Sequence, residues 1–64
     1  MSGSYDFKIA ERLVASDVPF DALIMAAVLR ADGANRPRLA TAFPELSAET
    51  FRRYGVPAGA LGDD

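Results

Sequence analysis

Pro19-Phe20-Asp21-Ala22-Leu23-Ile24-Met25-Ala26-Ala27-Val28-Leu29-Arg30-Ala31-Asp32-Gly33 is the stretch whose reading decides the fold. Phe20, Leu23, Ile24, Ala27, Val28 and Ala31 recur at i, i+3, i+4, i+7, i+8 and i+11, which places them on one face of an α-helix. Met25 and Leu29 carry apolar surface round to other faces, so this helix is apolar on nearly every side. A helix of that kind needs protein around it. Either the rest of the chain wraps it, or a second subunit or a target protein covers what is left exposed. Pro19 suits the first helical position, Asp21 complements the positive end of the helix dipole, and Gly33 is expected to end the segment.

Upstream, Ser4 is expected to cap a first helix with Asp6 in its first turn. Ile9, Ala10, Leu13 and Val14 form its apolar stripe, opposite Lys8, Glu11 and Arg12. It is expected to stop at Ala15 or Ser16, because Val18 precedes Pro19 and is pushed out of the helical region. Downstream, a third helix is predicted over 35–43, with Asn35 as N-cap, Pro37 in the first turn, Leu39, Ala42 and Phe43 facing inwards, and Pro44 as terminator. A fourth is predicted from an N-cap at Ser47 to Gly55, the expected left-handed residue, with Pro57 blocking continuation. No stretch alternates apolar and polar residues long enough to read as a strand. The fold class is therefore all-α: a small bundle of three to four short helices with a central, mostly apolar helix 2. One helical domain is expected over residues 1–57, followed by a flexible acidic tail over 58–64.

A chain of 64 residues, 50% hydrophobic and 25% charged, has the balance of a small globular domain. At this size only about 60% of the unfolded surface is buried, which leaves a marginal core. Cysteine and histidine are absent, so neither a disulfide nor a Cys/His metal cluster is available as a staple. Stability must come from packing or from assembly. Residues 1–6 carry no basic, apolar leader, and no run approaches the 18 apolar residues or so of a membrane span, so a cytoplasmic location without membrane contact is expected.

Catalysis finds little to work with. The serines have no imidazole partner and there is no Ser-x-x-Lys arrangement. Asp17 and Asp21 are spaced as an acid/base pair, yet helix-start electrostatics accounts for both. Asp63 and Asp64 offer too few oxygens for a dedicated cation site, and the glycines sit where turns need them rather than in a phosphate loop. The expectation is a protein that is not an enzyme and has no cofactor or metal.

Nucleic acid is a stronger candidate ligand. Net charge is −2, but residues 30–54 hold five arginines against three acids, while residues 1–29 hold four acids against two bases. Helices 2 and 3 could form a helix-turn-helix presenting Asn35, Arg36, Arg38 and Thr41 to a groove, with Arg52 and Arg53 on phosphates. The register opposes this, since Leu29 stands where a small residue normally lets the helices approach and Asp32 where an apolar one is usual. The alternative is a solvated basic face paired with Asp32, Glu45 and Glu49. Phe7, Phe20, Phe43 and Phe51 read as core, and Tyr5 and Tyr54 as helix-end rings. Tyr54 beside Arg52 and Arg53 is also a candidate interface anchor.

Leu23-Ile24-Met25-Ala26-Ala27, Arg30-Ala31-Asp32, Asn35, Leu39, Ala42-Phe43-Pro44-Glu45, Arg53-Tyr54 and Pro57-Ala58-Gly59 together resemble small uncharacterised helical proteins of phages and mobile elements in GC-rich bacteria. The resemblance covers the last two-thirds of the chain. It implies an accessory factor that binds a larger host or phage machine and brings no catalytic residue with it. The expected function is a non-enzymatic protein-interaction module, a phage-type modulator or inhibitor of a larger complex. Met25 and Leu29 are its candidate anchors, and Arg36, Arg38, Arg52, Arg53 and Tyr54 its polar rim. The partner is expected to be a foreign protein or a second copy. The alternatives are a small helix-turn-helix-like DNA-binding regulator and a structural subunit of a virion-like assembly.

Overall fold

A computed structural model describes residues 3–59, 61 and 62. Within them the chain is all-α: α1 (Ser4–Ala15), α2 (Phe20–Arg30), α3 (Asn35–Ala42), α4 (Pro44–Tyr54) and a short 3-10 turn, Pro57–Gly59. Both α2 and α3 pack against α4, so α4 is the helix on which the body is assembled. Val28 of α2, 2% exposed, is the one fully buried hydrophobic side chain among the described residues. α1 packs against none of the others to a comparable extent, and every residue in it is exposed. The radius of gyration of 13.2 Å reflects this, since a compact chain of this length would have about 11 Å.

Punctuation between the helices differs from the sequence expectation at several points, each for a local reason. Gly3, not Ser4, occupies the N-cap of α1, and its carbonyl accepts the Phe7 N–H at 3.0 Å. At the other end Asp17 takes the left-handed conformation, φ 61°, a region that aspartate tolerates better than most residues. Pro19 sits one residue before α2 rather than inside it. α2 then ends at Arg30, earlier than Gly33, because Ala31 turns extended at φ −65°, ψ 136°.

Ala34, not Asn35, is the N-cap residue of α3, and the Asp32 side chain caps the turn that leads into the helix. Asp32 Oδ1 accepts the N–H groups of Ala34 (3.1 Å) and Asn35 (2.8 Å), and the Asp32 carbonyl accepts that of Arg36 at 2.9 Å. A carboxylate two residues after α2 thus competes for the chain and begins the next helix before glycine could close the last one. Asp32→Ala is expected to cost about 1 kcal/mol and to lower the melting temperature by roughly 4–8 °C, read by circular dichroism.

Phe43 is the whole joint between α3 and α4, at φ −134°, ψ 67°. Pro44 forces the residue before it out of the helical region and itself takes the first position of α4, so one proline ends one helix and starts the next. Ser47 is therefore not an N-cap. It lies inside the first turn, 6% exposed, its N–H bound to the Phe43 carbonyl. Phe20 meets Phe43 edge to face at 6.0 Å between centroids, pinning the start of α2 to this joint.

Gly55 is not left-handed, with φ −93°. The left-handed glycine is Gly59, φ 66°, whose carbonyl accepts Arg53 Nη1 at 2.6 Å while Arg53 Nε binds Glu49 Oε2 at 2.8 Å. The 3-10 turn is thereby tied to the end of α4. The acidic tail expected over 58–64 concerns in part residues 60, 63 and 64, which lie outside the described residues.

Candidate functional site

The clearest site lies where the C-terminal halves of α2 and α4 run side by side. Val28 and Leu29 from α2, Phe51 and Tyr54 from α4 and Arg36 from α3 line a half-open cavity of about 180 Å³. Val28 is its buried wall. Leu29 (50% exposed), Phe51 (47%) and Tyr54 (76%) form its rim. Phe51 and Tyr54 are one helical turn apart and share a side of α4, whereas Arg52 projects from another side.

Arg36 closes one edge. Its guanidinium carbon stands 5.5 Å from the Phe51 ring centroid, and Nη2 reaches towards the Ala31 carbonyl at 3.5 Å. The cation is held on an aromatic face, and a guanidinium has further N–H donors beyond the one that faces Ala31. Aliphatic, aromatic and arginine side chains around a partly desolvated hollow match the composition of binding hot spots. The arrangement can take up an apolar side chain and hold a carboxylate or carbonyl beside it.

Comparisons with protein-family models, curated proteins and solved structures found no match. The site therefore rests on its geometry alone.

Of the residues singled out from the sequence, the structure brings Leu29, Arg36 and Tyr54 together. Met25 is half-buried on α2 and outside the cavity lining, so it is not an exposed anchor. Arg53 is engaged with Glu49 and Gly59. Arg38 donates from Nη1 to Asn35 Oδ1 at 3.3 Å and lines a second, shallower groove of about 460 Å³ with Ala27, Arg30, Ala31, Asn35 and Leu39. The four candidate DNA contacts are thus divided: Arg38 and Thr41 flank one hollow of α3 with Pro37 and Ala42, while Arg36 turns onto α4.

Sequence reasoning misses Phe51 and Val28 as parts of a site. The spacing of Phe51 is helical and apolar, which reads as core, and nothing in the sequence announces that the helix beside it leaves its ring half open. Phe7 and Phe20 are likewise exposed rather than core. Among the described residues no group of three or more acidic side chains gathers to hold a metal ion, and no helix is long and apolar enough to cross a membrane.

Proposed function

We propose that this protein is a non-enzymatic protein-interaction module that acts by covering a surface of a larger host or phage complex, with the Leu29, Phe51, Tyr54 and Arg36 face as its contact. The observation that carries the reading is the convergence of three exposed apolar side chains from two helices on a hollow edged by a stacked arginine. The ligand that fits is a peptide segment with one large apolar side chain and an acidic neighbour.

Selection of a random peptide library on the immobilised full chain tests this. Enriched peptides should pair an aromatic or aliphatic residue with Asp or Glu. Their affinity should fall about tenfold or more with Leu29→Glu or Tyr54→Ala and stay unchanged with Arg52→Ala. No enrichment, or equal binding to Leu29→Glu, would overturn the reading.

A DNA-binding regulator is the second reading, and the groove that gathers Arg30, Asn35 and Arg38 supports it. A low-salt mobility shift abolished by Arg38→Gln but not by Leu29→Glu would favour it over the first.

A further inference from the structure

α1 is a helix without a reason to be one. It has 12 residues, a length at which an isolated helix is marginal in water, and it packs on no other helix as α2 and α3 pack on α4. Its apolar side is nonetheless well formed. Phe7, Ala10, Glu11 and Val14, with Ala15, outline an open hollow at i, i+3, i+4 and i+7, the four-residue seat into which a side chain of a facing helix inserts. The chain exposes 5241 Å², whereas a compact protein of 6.8 kDa exposes about 4,000 Å². Part of that extra exposure is the outer side of α1, where Tyr5, Phe7 and Val14 are 75%, 65% and 72% exposed.

Both halves of a match are present on the same chain. On α1, Phe7 lies one turn from Glu11, which has no ion-pair partner among the described residues. On the body, the hollow edged by Leu29, Phe51 and Tyr54 lies beside the Arg36 guanidinium. The link between them is four residues, Ser16 to Pro19, and it is stiff. Ser16 Oγ is tied to the Arg12 carbonyl at 2.7 Å, Asp17 is left-handed at φ 61°, and Pro19 holds φ at −60°. Short, strained hinges favour exchange of an element between copies over closure within one.

We propose that two copies pair by exchanging α1, the Phe7, Ala10 and Val14 side of each helix seated on the Leu29, Phe51 and Tyr54 face of the other, with Glu11 against Arg36. This rests on the reading of that face as a binding surface and names its partner as a second copy. An outside ligand then competes with the exchanged helix.

Sedimentation equilibrium of the full chain over a wide concentration range is the test, with circular dichroism on the same samples. Twice the chain mass is expected, with helicity rising as dimer forms. Glu11→Arg alone and Arg36→Glu alone should each weaken pairing at least about tenfold, because both contacts become like-charged. An equimolar mixture of the two variants should restore the dimer as a heterodimer. One exchanged helix then sets the introduced arginine against the introduced glutamate, and the other keeps the native pair of Glu11 with Arg36. Closure of α1 within one chain cannot produce that rescue. Phe7→Asp, on an exposed site that the fold does not use, should also give monomer with the body intact.

A wild-type chain that is monomeric throughout, or a dimer indifferent to Glu11→Arg and Phe7→Asp, would overturn the exchange. Peptide selection on the monomeric Phe7→Asp chain, whose Leu29, Phe51 and Tyr54 face no exchanged helix covers, tests the peptide reading apart from the exchange, so the two readings fail separately. Masses beyond dimer would overturn it in favour of a structural subunit.

Discussion

Val28→Asp is expected to abolish cooperative unfolding of the α2, α3 and α4 body. Val28 is 2% exposed and is the one buried hydrophobic residue among those described, at the contact of α2 with α4. An aspartate there would bury a charge with no partner, a penalty of several kcal/mol, and a core of this size rarely supplies more than about 3–5 kcal/mol. The milder Val28→Ala removes two methyl groups and should cost roughly 2–3 kcal/mol once the residual cavity is included. Urea titration followed by circular dichroism separates them: a shifted midpoint for Val28→Ala, no transition for Val28→Asp. An unchanged midpoint for Val28→Ala would place the core elsewhere.

Ser47→Ala should stabilise the protein, by about 1–2 kcal/mol. Reading Ser47 as an N-cap leads to the opposite sign, because removing a capping serine costs about 1 kcal/mol. In the structure Ser47 is buried within the first turn of α4, and its Oγ has no hydrogen-bond partner. A buried hydroxyl in that condition keeps its desolvation penalty without compensation, and alanine removes it while raising helix propensity. Thr50 is the internal contrast. It is equally buried, but its Oγ1 donates to the Leu46 carbonyl at 2.7 Å, so Thr50→Ala should not stabilise. Thermal denaturation decides the sign: a rise of roughly 4–8 °C per kcal/mol for Ser47→Ala, against a fall if the residue caps.

These two residues show where local reading stops. Val28 belongs to the apolar ladder of α2, but so does Phe20, and the structure buries one and exposes the other. Leu29, Arg36 and Tyr54 are legible as binding candidates from type and position. Their meeting around one hollow, and the part of Phe51 in it, follow from α2 lying along α4 while α3 carries Arg36 across the Phe51 ring.

What the sequence by itself determined is the all-α class, a set of three to four short helices and their spans to within a few residues. Those depend on forces acting within a turn or two: the recurrence of apolar side chains, the fixed φ of proline and the backbone preferences beside it. What only the tertiary structure decided is which apolar faces are covered. Periodicity marks a face as apolar whether or not a neighbour arrives, and the neighbour's arrival depends on the angles at a few joints. Here those joints are the Asp17 turn that leaves α1 apart, the Asp32 cap that cuts α2 short and the Phe43–Pro44 hinge that makes α4 the helix on which the body packs. Each joint is set locally, by a left-handed residue, a capping carboxylate or a proline, but the faces it brings together or leaves apart are settled only when the helices meet.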